Sequence, residues 1–278
     1  METAIERWRA LIQARAEQMD AAYARLGRTS ADFWDRRARG FHRATRENVS
    51  SDPFYQRVRA QVTPQLSVLD VGAGSGRFSL ALAPHARQVI ALEPNVSMLA
   101  YLHQELAATD LTNLLTLQSR WEDAPADMRA DIVICSHVLY PLLDVGPFLA
   151  KLNAASLQTC YLYLRATQID MLSAPLWRHF HGDERRPAPG YIHALDVLYE
   201  LGIYANVEVV SAPFVLSYPT LQEAEDELLE QLILEDTAQT RQELRGLLEH
   251  WLIAEDDHSW HSPSQEFVSA ILSWSPCP

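Results

Sequence analysis

The chain has 278 residues, 48% of them apolar, seven tryptophans and a formal charge of −13. Such a chain can build one large α/β core with appendages, and its apolar share excludes a disordered polymer. The acidic balance argues against a general nucleic-acid surface, which needs a basic footprint.

The first residues, METAIERWRALIQAR, are charged throughout and lack the apolar core of a signal segment. No run reaches the roughly 18 apolar residues of a membrane span. Cys135, Cys160 and Cys277 have neither metal-ligand spacing nor the even number of a disulfide framework. The expectation is a cytoplasmic protein with no membrane partner and no metal.

In chain order, Ile5, Trp8, Leu11, Ile12, Met19, Ala22, Tyr23 and Leu26 recur at helical spacing. Thr29 with Asp32 resembles a capping box for a second helix through Phe33, Trp34 and Phe41. The segment FYQRVRAQV then leads into an alternating region. Short β-rich runs at 67–71, 88–92, 114–118, 131–135 and 160–164 are separated by helical patterns near 76–84, 95–107 and 145–156. Continuous apolar strands alternating with helices imply a parallel sheet covered on both faces. Further on, WRHFHGDERRPAPGY reads as a polar loop, YIHALDVLYELGI as a helix closed by Gly202, and 207–216 as a strand. Thr220 and Glu223 cap an acidic helix bearing Leu228, Leu229, Leu232 and Ile233, a second helix follows, and 266–274 is a last strand. Residues 222–257 hold twelve acids against two arginines, whereas residues 1–60 hold twelve arginines against eight acids. Solvated helix faces account for both runs.

The stretch with most chemical content is VLDVGAGSGRF, residues 68–78. An apolar strand ends in Asp70 and turns through Gly72, Gly74 and Gly76, where the missing side chains permit positive φ and close approach of a ligand. A nicotinamide-binding turn would place a third glycine where Arg77 stands. Asp70 also sets negative charge where a pyrophosphate would lie, and so favours a ligand with an ammonium or sulfonium group. Glu93 closes the next strand, 21 residues after Gly72, in position to accept hydrogen bonds from both hydroxyls of a ribose.

VLDVGAGSGRF, IALEPNVSML, RWEDAP and ADIVICSHVLY, in this order and at these separations, resemble the successive motifs of class I S-adenosylmethionine-dependent methyltransferases. The resemblance covers roughly 40–275. It implies a doubly wound α/β fold with a seven-stranded, mostly parallel sheet of order 3-2-1-4-5-7-6, the last strand antiparallel. A helical extension would precede this core and a helical insertion would precede the last strand. The implied division is a helical cover over 1–60 and a cofactor-binding core over 61–278, with the insertion at 220–255. The cofactor implied is S-adenosyl-L-methionine. Asp70, Gly72, Gly74 and Gly76 would line its methionine part and Glu93 its ribose, while Pro94 and Met98 would pack near the adenine. Arg120, Trp121 and Glu122 stand where relatives carry adenine contacts, although Arg120 and Trp121 depart from the usual acid and small residue. Trp121 is either a wall of that site or a core residue. Ser136 and His137 would lie near the sulfonium.

Methyl transfer is an in-line displacement in which alignment carries most of the rate, and a base matters only if the acceptor must lose a proton early. His137 is the candidate base, or else a histidine that shapes the pocket; Tyr140 either touches the acceptor or packs. Trp34, Phe41, Trp177, Arg178 and His181 are expected at the acceptor, and the loop around Trp177, with its arginines and aromatics, would suit a carboxylated or otherwise anionic small molecule. His258 and His261 have helix-like spacing and acids nearby, yet a metal pair is not expected of them. The expected activity is methylation of a small-molecule acceptor; the alternatives are a protein methyltransferase or a non-catalytic cofactor-binding regulator. The acidic helices are read as a wall of the acceptor site or as the contact of a homodimer.

Overall fold

The apolar runs that read as strands do form a single sheet in the computed structural model, which describes residues 2–29, 49–166 and 168–276. Trp34, Phe41, Cys277 and the second helix expected through residues 33–41 lie outside the described residues. Parallel strands β1 (Ser67–Val71), β2 (Gln88–Leu92), β3 (Leu114–Leu117), β4 (Ala130–Ser136) and β5 (Ser156–Arg165) join β6 (Asn206–Phe214) through the last strand, β10 (Gln265–Trp274). Their spatial order is β3-β2-β1-β4-β5-β10-β6, and β10 is antiparallel to both neighbours. This is the doubly wound order the motifs implied. The order reverses direction between β1 and β4, and in open α/β sheets ligands bind outside the carboxyl ends of the strands at such a switch point.

The alternation of side chains along each strand divides the core in two. On one face Leu69, Val71, Val133, Cys135, Leu162 and Leu164 pack under α1 (Ala4–Arg25), α5 (Val145–Ala155) and α7 (Tyr191–Glu200). Trp8 of α1 is fully buried there, and its indole N–H donates to Leu142 O at 2.7 Å. On the other face Val68, Ile132, Ile134, Tyr161 and Tyr163 meet Phe54, Phe78, Leu99 and Leu102 of α2 (Pro53–Arg59), α3 (Arg77–Leu82) and α4 (Val96–Ala107). Burying a large apolar side chain contributes about 1.5–3 kcal/mol, so these two layers hold the strand ends in register.

A third cluster sits apart from the sheet. Between β6 and β10 the chain forms α8 (Leu221–Gln231), α9 (Ala238–Trp251) and a small sheet of β7 (Ser217–Tyr218), β8 (Ile253–Ala254) and β9 (Trp260–His261). Leu228, Leu229, Leu232, Leu244 and Leu248 pack with Ala22 and Tyr23 from the end of α1. Thr220 caps α8 through its hydroxyl, which accepts from Glu223 N at 3.1 Å.

The stretch WRHFHGDERRPAPGY, expected as a polar loop, opens inside a helix, α6 (Ala174–His181). Leu176, Trp177 and Phe180 give it a buried stripe that the intervening Arg178, His179 and His181 obscure in the sequence. Pro175 in its first turn and left-handed Gly182 after its last are the boundary signals.

Candidate active site

β1 brings Asp70 to the carboxyl edge, and the chain turns at once through Gly72, Gly74 and Gly76 with φ of 76°, 57° and 86°. An L side chain rarely adopts these values. At Gly72 there is also no room: a Cβ would stand 2.3 Å from Val138 Cγ2. The turn hangs on the end of β2, because Gly72 N and Ala73 N both donate to Leu92 O, at 2.8 and 3.0 Å. Glu93 completes the brace: Oε2 accepts from Gly74 N and Oε1 from Asn95 N, each at 2.9 Å. Each carboxylate oxygen keeps further acceptor capacity toward the cleft.

Two buried carboxyl groups therefore flank a turn without side chains. Asp70 is 2% exposed, and burial raises its pKa to about 7 against the hydrogen bond from Ser79 Oγ at 2.6 Å, with the nearby Glu93 charge adding to the rise. Glu93 is 8% exposed, and burial raises its pKa too, opposed by the Asn95 and Gly74 N–H groups. Among the described residues neither carboxyl has an ion-pair partner. Paired buried acids without a cation carry an electrostatic cost that a bound cation would remove.

Beyond Glu93, Asn95 caps α4 by accepting from Met98 N at 2.9 Å, and Met98 is buried at the first turn. Pro94 lies between the brace and this cap. The Trp121 ring is packed in the core: it is 2% exposed, lies under Lys151 Nζ at 4.8 Å and donates its N–H to Phe148 O at 3.3 Å. Lys151, the only lysine in the chain, also donates to the carbonyls of Trp121, Glu122 and Ala124. Arg120 and Glu122 are exposed and 3.5 Å apart.

At the other side of the switch point β4 ends at Ser136, and His137 takes a left-handed conformation with φ 59°. Its amide donates to Tyr163 O at 2.9 Å, its ring lies 4.7 Å from that of Tyr163, and Nδ1 is 2.8 Å from the Tyr140 hydroxyl. That hydroxyl accepts from Arg165 N at 3.0 Å. Burial, then the positive charges of Arg165 and Arg77, hold the His137 pKa well below its usual range, so the imidazole is neutral at neutral pH. Arg77 is itself paired with Asp52, the N-cap of α2, at 3.0 Å.

Trp177, Arg178 and His181 are not gathered with these groups. Trp177 is 1% exposed in the third cluster, sandwiched by Arg185 at 4.5 Å and His181 at 4.0 Å. His181 bonds Leu232 O at 2.7 Å, and Arg178 pairs with Glu184 on the surface at 2.8 Å. The sequence reading overlooked Asp52, Ser79, Tyr163 and Arg165. Only Arg165 had left a trace, as a charge ending the apolar run CYLYLR. Among the described residues no three His, Cys, Asp or Glu side chains gather as metal ligands, and no helix is long and apolar enough to cross a membrane.

A doubly wound sheet, a glycine turn at its switch point and an acid one strand over define a doubly wound α/β protein with a candidate ligand cleft at the switch point. Residues 68–155 match the family model described as a methyltransferase domain. The fold is shared with a protein of Bacillus halodurans C-125, provisionally described as a methyltransferase, at 16% identity and a TM-score of 0.55, covering 82% of this chain and 100% of that one. The YcgJ protein of Bacillus subtilis gives 12% identity, a TM-score of 0.54 and coverage of 81% and 98%. Magnesium protoporphyrin IX methyltransferase of Synechocystis PCC 6803, solved with bound S-adenosylhomocysteine, gives 13%, 0.50, 82% and 81%. In sequence, an uncharacterized protein of Haemophilus influenzae is 32% identical over 145 residues, 52% of this chain and 53% of that protein. The chain thus spans about half the length of the curated relative it matches. Residues 68–155 are thus similar to a methyltransferase domain, and the sheet around them has the fold of these solved structures.

Proposed function

We propose that the protein transfers a methyl group from S-adenosyl-L-methionine to a small-molecule acceptor. The observation that carries this is the pair of buried carboxyls, Asp70 and Glu93, flanking the glycine turn with no ion-pair partner among the described residues. A dinucleotide would add pyrophosphate charge to that pair; a ligand with an ammonium and a sulfonium supplies the missing positive charge. When bound, the cofactor provides an electrophilic methyl on sulfur.

The chain's residues then divide the work. Glu93 accepts from the ribose hydroxyls, the Gly72–Gly76 backbone admits the methionine part, and Asp70 faces the ammonium. Pro94 and Met98 pack near the adenine, with the chain at Arg120, Trp121 and Glu122 along its rim. Ser136 and His137 stand at the reacting end. Tyr140 accepts the Arg165 amide and has its own proton to give to His137 Nδ1, which leaves the imidazole protonated at Nε2. In that tautomer His137 offers a hydrogen-bond donor to the acceptor, and alignment, worth up to about 7–11 kcal/mol, carries the rate. The 61–278 core follows an N-terminal unit of residues 1–60, and 220–255 form its insertion.

Titration calorimetry with S-adenosylmethionine and with NAD tests the cofactor, and release of S-adenosylhomocysteine across an acceptor panel tests turnover. Binding of NAD and not of S-adenosylmethionine would refute the proposal. Tight cofactor binding with no turnover over broad acceptor chemistry would favour a regulatory binding protein.

A further inference from the structure

The sequence assigned anionic-acceptor recognition to the arginines after β5, yet two of them are used internally and the third, Arg186, is exposed on the surface. Arg178 pairs with Glu184, and Arg185 lies over Trp177 and pairs with Asp170 at 3.1 Å. Arg165, the last residue of β5, is different. Its backbone N–H is bonded to Tyr140, but its guanidinium makes no hydrogen bond or ion pair among the described residues. Alternation along β5 puts it on the face of Tyr161 and Tyr163, and it is only partly exposed. The groups that feel its charge are Tyr140, Tyr163, Arg77, Asp52 and His137.

This cation stands on the acceptor side of the switch point, two strands from the glycine turn across β4. Among the described residues its surroundings are one charge out of balance: Asp52 neutralises Arg77, His137 is neutral, and Arg165 has no acid paired with it. A planar guanidinium with a free fork matches a carboxylate through two parallel hydrogen bonds, and a monoanion cancels the excess charge. The rings of Tyr163 and His137, 4.7 Å apart, form an apolar wall beside it.

We propose that Arg165 anchors a carboxylate of the methyl acceptor and so selects carboxylated small molecules; this rests on the methyltransferase function proposed above. Arg165 holds the acceptor's far end while His137 faces its reacting end.

The test uses full-length protein saturated with S-adenosylhomocysteine and titrated calorimetrically with benzoate, benzamide and phenyl phosphate. Benzoate is expected to bind at least tenfold more tightly than either analogue. R165Q should abolish that preference, R165K should keep part of it, and both should hold S-adenosylhomocysteine as the unsubstituted protein does. Benzoate that fails to bind, or binds no better than benzamide, would overturn the proposal, as would R165Q binding it undiminished. Tighter binding of phenyl phosphate would replace the carboxylate with a phosphate. Loss of S-adenosylhomocysteine affinity in both variants would assign Arg165 to the cofactor's own carboxylate. If S-adenosylhomocysteine does not bind the unsubstituted protein, it is the methyltransferase function that fails.

Discussion

The two sides of the switch point carry opposite electrostatic deficits. At the ends of β1 and β2, Asp70 and Glu93 are buried acids with no cation paired to them among the described residues. At the ends of β4 and β5, Arg165 is a cation with no ion-pair partner among the described residues, beside a neutral His137. The contrast teaches that the two proposed ligand sites ask for opposite charges: a cationic sulfonium amino acid for one, an anion for the other. The same sheet positions both, since β1 and β4 are hydrogen-bonded neighbours.

The strongest break is expected from Gly72→Ala. The Cβ would sit 2.3 Å from Val138 Cγ2 at a φ of 76°, and left-handed strain with overpacking costs about 2–5 kcal/mol. Thermal unfolding should shift downward and S-adenosylhomocysteine binding should fall at least about a hundredfold; unchanged affinity would show that the turn does not meet the ligand. Glu93→Ala removes the acceptor of Gly74 N–H and Asn95 N–H and is expected to cost about 1–3 kcal/mol of cofactor binding, read by calorimetry.

A pH series sharpens the acidic half. The Asp70 pKa, raised from 3.8 to about 7, means the ligand-free fold keeps a proton that the unfolded chain has already released. Stability of the ligand-free protein from this group therefore falls as pH climbs from about 4 to 7. A cationic ligand favours the ionised carboxylate, so cofactor affinity should rise as pH increases toward 7, by up to about tenfold per unit, with proton release seen by calorimetry in buffers of different ionisation enthalpy. Asp70→Asn should flatten that dependence.

The smallest effect falls on the other half. Tyr140→Phe deprives Arg165 N–H and His137 Nδ1 of a partner and should cost about 1 kcal/mol of stability. Cofactor affinity should not move; a large loss would mean that the two halves are not separable.

Much of the acidic half was legible in residue order. β2 was read to the residue, and β1 as well, because short apolar runs bounded by glycine or proline leave little choice of frame. β5 begins four residues before the apolar run CYLYL, since its polar opening SLQT is carried into the sheet by pairing with β4. α6 was missed because period-spaced Leu176, Trp177 and Phe180 are interleaved with charge, and the Pro–Gly boundary was passed over. The burial of Trp121 followed from Lys151 and Phe148 lying some thirty residues away, which no local pattern encodes.

By itself the sequence determined the proposed cofactor-binding unit, because one βαβ unit holds Asp70, the glycines and Glu93 within 24 residues, and local periodicity fixes their phase. Only the tertiary structure decided the acceptor side. There Asp52, Arg77, His137, Tyr140, Tyr163 and Arg165 come from four separate elements or loops, and whether a charge is spent or free depends on partners brought together by sheet order and helix packing, not by chain spacing.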